Sequence, residues 1–322
     1  LREFWQTIGQ PRVPEPASTF WQNFASQVGG PTRLWLNSIE AGATLLDGQP
    51  GFFAPRFPSP ALTPPWFSTN QATQDVSYYV TTELKSTLER LVDFDRINQG
   101  DMRVSVGAVN VRTGNFVIFD NQRGHFAKRL KAEHFMASGA LPPGFPAVAI
   151  EGELYWDGGL VSNTPLSWIL EDPSGQDTLA FQVDLWSAKG PLPGNMQDVQ
   201  ERIKDIQYSS RTRAITAAAA LRQKYRTLLK DLLAEIPAAR RQSVVCQQAL
   251  ELACPRRINV IHLIYQEKEW DGHAKDYEFG ILSMQQHWAS GLADAKKTLA
   301  QPGWLDLPPM SEPFVTHDLH RV

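Results

Sequence analysis

The stretch Tyr155-Trp156-Asp157-Gly158-Gly159-Leu160-Val161-Ser162-Asn163-Thr164-Pro165-Leu166 ends an apolar run on a carboxylate and follows it with two glycines. Glycine reaches backbone angles that a Cβ forbids, so Gly158 and Gly159 permit a sharp turn that holds the Asp157 side chain on its rim. A carboxylate is a weak base, and a low-dielectric setting tunes how readily it takes a proton. Asn163 is placed to hydrogen-bond locally. The same residues also suit an ordinary Asp-Gly turn with no chemistry attached.

The flanking patterns show what must position Asp157. Ala147 to Ile150 and Glu153 to Trp156 read as a hairpin around Glu151-Gly152, and Pro165 suits the first turn of a helix. Upstream, Ser86 to Leu91 reads as part of a helix. Arg103 to Val111 alternates and turns through Arg112-Thr113-Gly114 into a second strand, Asn115 to Asp120. His125 to Ser138 is partly helical. Downstream, Thr178 to Asp184 is short and apolar, which predicts a strand covered on both faces. Met196 to Ile236 is the main helical region, with Leu221, Tyr225, Leu228, Leu229, Leu232 and Ile236 as its apolar stripe. Gln242 to Ala253 is a further helix, Ile258 to Tyr265 the last clear strand and Tyr277 to Leu299 the closing helix. Strands and helices interleave, so the class is α/β, with sheet between helices. The hairpins make the expected sheet mixed.

Arg211, Arg213, Arg222, Lys224, Arg226 and Lys230 surround the apolar stripe. That design serves a helix lying on a membrane surface, and equally the solvated side of a packed helix; Asp205, Asp231 and Glu235 interrupt the positive charge. Between Asp47 and Thr69, six prolines exclude regular structure while Phe52, Phe53, Phe57, Trp66 and Phe67 supply apolar surface. Such a loop is either anchored to the body by its aromatics or forms a lid or wall beside a site.

Composition sets the bounds. The chain has 322 residues, 42% hydrophobic and 20% charged, as expected of a soluble globular protein. Its 31 basic and 34 acidic residues leave a net charge of −3, which argues against a nucleic-acid surface. No apolar run approaches a transmembrane length. Cys246 and Cys254 make neither a disulfide framework nor a zinc spacing, and fit a reducing cytoplasm. No metal or cofactor is expected, and His317 and His320 read as solvated.

The Asp157-Gly158-Gly159 segment resembles the Asp-Gly-Gly of patatin-like phospholipases. Met136-Ala137-Ser138-Gly139-Ala140-Leu141-Pro142-Pro143-Gly144-Phe145-Pro146 resembles the family segment that precedes it. Leu91-Val92-Asp93-Phe94-Asp95-Arg96-Ile97-Asn98 and the helix from Phe279 to Trp288 are similar to a bacterial subgroup. The resemblance runs from Thr82 to Leu299. It implies a three-layer α/β/α fold with a mixed central sheet, and a Ser-Asp dyad in which Asp157 is the base. The implied substrates are lipid esters. On this footing residues 1–190 hold the catalytic domain's motif-bearing part, and residues 191–322 are a helical and α/β extension packed on it.

The chain departs from the family in one respect. No serine has glycine at both −2 and +2, and no Gly-rich oxyanion loop is present, since Gly29-Gly30 runs into Pro31. Leu1, Phe4, Trp5 and Ile8 open the chain inside an apolar helical stripe with no cap ahead. The expectation is therefore a chain lacking the N-terminal nucleophile segment and inactive alone. The competing readings are a non-catalytic patatin-like binding or scaffolding module and an unrelated α/β protein. A cytoplasmic location, with peripheral membrane contact through the basic helix, is expected. Oligomeric state is left open.

Overall fold

The computed structural model describes residues 1–9, 30–57, 72–171, 175–265 and 278–319. Gly29, residues 58–69 of the Pro-rich segment, Tyr277 and His320 lie outside these residues. The chain forms two compact units, Leu1–Asn163 with Lys268–Trp288, and Thr164–Glu267 with Ala289–Val322.

In the first unit the order is α1 (Arg2–Ile8), α2 (Gly30–Asp47), β1 (Ala54–Pro55), β2 (Tyr79–Val80), α3 (Thr82–Leu91), α4 (Phe94–Gln99), β3 (Ser105–Asn110), β4 (Phe116–Asp120), α5 (Ala132–Ser138), β5 (Val148–Ile150) and β6 (Glu153–Asp157). Local chemistry explains several boundaries. The Asp93 side chain caps α4 by accepting from Arg96 N at 2.9 Å, and Gly100 ends it at φ 85°. Glu151 and Gly152 both have positive φ, 49° and 85°, as a two-residue hairpin turn with primed geometry requires.

Strands β3 to β6 form one antiparallel sheet in the order β4-β3-β6-β5, while β1 and β2 pair separately. Val106, Ala108, Phe119, Leu130, Ala137, Ile150 and Tyr155 make the core between this sheet and α5. The described part of the Pro-rich loop is anchored. Phe53 is 4% exposed and its ring lies 4.8 Å from Tyr79 and 5.2 Å from Phe145, with Phe52 and Phe279 around it.

The second unit holds α6 (Leu166–Leu170), β7 (Thr178–Asp184), α7 (Met196–Glu235), α8 (Val244–Leu252), β8 (Ile258–Ile264), the C-terminal part of α9 (Ile281–Leu299) and β9 (Phe314–Asp318). Here the three strands are parallel, in the order β7-β8-β9. The chain is thus α/β with helices and several sheets, and its parallel and antiparallel pairings are divided between the units. Leu166, Leu170, Ala180, Ala219, Ile258 and Val260 form the second core.

Two expectations are corrected. β7 is covered on one face only: Ala180, Gln182 and Asp184 are buried while Leu179, Phe181 and Val183 are exposed. Among the described strands it lies at the edge of its sheet. In α7 the buried positions are Asp205, Ser209, Thr212, Ala219, Gln223, Thr227 and Leu233, whereas Leu221, Tyr225, Leu228 and Leu232 face outward. Gln223 shows why a polar face can go inward: its side-chain amide donates to the carbonyls of Cys254 and Arg256 at 2.8 and 2.7 Å, leaving no unpaired donor.

Candidate active site

Asp157 is the last residue of β6, paired opposite Ala108 of β3. Its backbone N–H donates to the Ala140 carbonyl at 3.0 Å, which ties the strand end to the segment after α5. The chain then turns through a single 3-10 turn, Gly158–Leu160, and the Gly158 carbonyl accepts from Val161 and Ser162 at 3.0 and 2.9 Å. Asp157 caps this turn. Its Oδ1 accepts from Gly159 N at 2.7 Å, and no described residue donates to Oδ2.

The two glycines are required by clearance, not by left-handed backbone angles. A Cβ on Gly158 would stand 2.5 Å from the Gly107 carbonyl oxygen of β3, so only glycine lets the turn pass that strand. Gly107 is itself covered by the Phe116 ring, which would meet a Cβ there at 2.6 Å. A Cβ on Gly159 would lie 3.1 Å from Asp157 Oδ1 and crowd the carboxylate. Asn163 is beside Gly159, and its buried Oδ1 accepts no hydrogen bond among the described residues.

Burial pushes the Asp157 carboxyl above its ordinary value, opposed only by the Gly159 N–H. Trp156 Nε1 and Ser162 Oγ, close in sequence, are also buried without partners. The turn thus holds a half-buried carboxylate with the buried, unbonded Asn163 Oδ1 beside Gly159 among the described residues. Functional sites are where such unsatisfied groups collect. No described serine hydroxyl contacts Asp157.

Elsewhere, a cavity of about 180 Å³ is lined by Phe126, Arg129, Lys131, Glu133, His134, Ala149, Ile150 and Glu151. It lies at the hairpin end of β5, away from Asp157. In the second unit Asp184 and His262, both buried, approach to 3.9 Å on adjacent strands, and burial raises the Asp184 carboxyl. That pair was missed in the sequence, where both residues read as parts of apolar strands. Among the described residues no group of three or more His, Cys, Asp or Glu is arranged to hold a metal. No described helix is long and apolar enough to cross a membrane.

Comparison with known families places these observations. A family model described as patatin-like phospholipase matches residues 7–167, half of the chain and the whole Asp157 turn. A second, described as patatin phospholipase, matches residues 206–311. No curated protein matches the chain. With an α/β fold and an Asp-Gly-Gly turn at a strand end inside the matched region, the chain belongs to the patatin-like phospholipase family.

Proposed function

We propose that Asp157 is the base of a Ser-Asp dyad serving the lipid acyl hydrolase function that the family supports. The observation that carries this reading is the division of labour at its carboxylate. Gly159 N–H fixes Oδ1 at 2.7 Å, while no described residue donates to Oδ2, which can accept a proton. Burial makes the ionised carboxylate a stronger base than it is in water.

A serine hydroxyl attacks the ester carbonyl as its proton passes to Asp157. The tetrahedral intermediate collapses, and the leaving alkoxide takes that proton back. Water, deprotonated by Asp157, then cleaves the acyl-enzyme and the serine is reprotonated. The serine is not among the residues that contact Asp157, and no Gly-x-Ser-x-Gly occurs in the 322 residues. On this reading it belongs to sequence outside them.

The test is hydrolysis of a p-nitrophenyl ester. The 322-residue chain alone should leave it intact, because a base without its nucleophile contributes little. With a family nucleophile segment supplied ahead of Leu1, turnover should appear, and Asp157→Asn should remove most of it without unfolding the protein. Robust hydrolysis by the isolated chain, or full activity of the Asp157→Asn form, refutes the dyad. Lipid binding without any hydrolysis would favour a non-catalytic module.

A further inference from the structure

The outward face of α7 carries a repeat that its own unit does not use. Ala214, Ala218, Leu221, Tyr225, Leu228 and Leu232 are all exposed and are spaced four, three, four, three, four. The four large residues are 50%, 60%, 52% and 54% exposed in that order. These intervals alternate four and three, as the two columns of a coiled-coil seam do. It runs along roughly 27 Å of helix. Two buried neighbours, Gln223 and Thr227, face the unit's interior, so the seam is on the far side of a helix whose orientation is already fixed.

Two features separate the candidate partners. A helix that lies on a lipid surface presents a wide apolar face bordered by cations. The large exposed residues of this seam fall in two columns, with the half-buried Leu229 beside them. Its borders carry both signs: Lys224 and Asp231 on one edge, Arg222 on the other. Among the described residues neither Lys224 nor Asp231 has an ion-pair partner. They are seven apart, on the same edge of the seam. Opposite charges on one edge are complementary to the same edge turned end for end.

We propose that α7 pairs antiparallel with α7 of a second copy of this chain, about a twofold axis between Tyr225 and Leu228. That operation sets Tyr225 against Leu228 of the second copy and Leu221 against Leu232 of the second copy. It brings Lys224 toward Asp231 of the second copy, twice, as an isologous interface requires. The seam spans fewer than three heptads, so the contact is of the small, reversible class, with a Kd on the order of 10 µM. The inference is independent of the dyad reading, since it uses no residue of the Asp157 turn.

Sedimentation velocity of the full chain over a concentration series tests it. The wild type should pass from monomer to dimer around the Kd. Leu228→Glu should weaken association at least ~30-fold and leave the circular dichroism spectrum unchanged, because the side chain is exposed. Lys224→Glu alone should weaken the dimer, and Lys224→Glu with Asp231→Lys should restore it. That rescue is specific to antiparallel pairing on this edge. A chain that stays monomeric, a dimer indifferent to Leu228→Glu, or a double variant no better than the single one overturns the proposal. Monomer that instead binds phosphatidylserine-containing vesicles, and loses them on Tyr225→Ser, assigns the face to a membrane surface and also overturns it.

Discussion

Gly158→Ala tests most directly why the turn after β6 is built from glycine. The added Cβ would lie 2.5 Å from the Gly107 oxygen, 2.8 Å from the Gly107 carbonyl carbon and 3.1 Å from the Phe116 ring. A carbon–oxygen contact is comfortable at about 3.3 Å, so the two strands must part by roughly 0.8 Å. The obstacle is backbone, which cannot swing aside as a side chain can. Overpacking costs about 1–3 kcal/mol, and this site belongs at the upper end. The readout is amide exchange at Val111, which donates to Leu154 O at 2.8 Å across β3–β6, and at Asp157, which donates to Ala140 O. A cost near 3 kcal/mol accelerates exchange about 100-fold if these amides open with the sheet. Gly139→Ala is the control. Nothing lies within 4 Å of its Cβ and its φ is −111°, so the variant should be unchanged or slightly more stable. Gly158→Ala exchange within about threefold of the wild type, a difference of ~0.6 kcal/mol, would refute the close-approach argument.

Three further outcomes are expected. Because burial raises the Asp157 carboxyl, the folded state binds its proton more tightly than the unfolded state does. Its contribution to stability is therefore greatest below the ordinary carboxylate range and falls as pH rises through the raised value; Asp157→Asn should stabilise the fold at neutral pH but not in acid, and denaturant midpoints at both pH values check this. Asp120, buried and desolvated, is held below its usual range because Ser105, the Gln122 amide, Arg103 and the Arg123 amide together outweigh that burial. Its stabilising share is lost as pH falls through the depressed value, and Asp120→Ala should cost about 3–5 kcal/mol in denaturant unfolding by leaving Arg103 without its carboxylate. Gln223→Leu orphans the Cys254 and Arg256 carbonyls at the start of β8 and should cost about 1–3 kcal/mol, read as a lower melting midpoint of the second unit.

The sequence by itself determined whatever is local. Glu151-Gly152 specified a hairpin turn, both positions having positive φ, and Asp157 fell at a strand end because the apolar run stopped there before two glycines. Cys246 and Cys254 are buried as free thiols. Family membership was legible because the residues around Asp157 carry that local chemistry in order. Only the tertiary structure decided which face of an element goes inward. The apolar stripe of α7 faces out, while Thr212, Ala219, Gln223 and Thr227 are buried, because carbonyls at 254 and 256 reward an inward amide and no sequence window contains both groups. It likewise decided that β7 lies at the edge of its sheet among the described strands and buries only alternate residues. The reason for Gly158 was also invisible locally, since it is the passage of Gly107, fifty-one residues earlier, that forbids a Cβ. Periodicity defines a face; the partner that meets it comes from elsewhere in the chain.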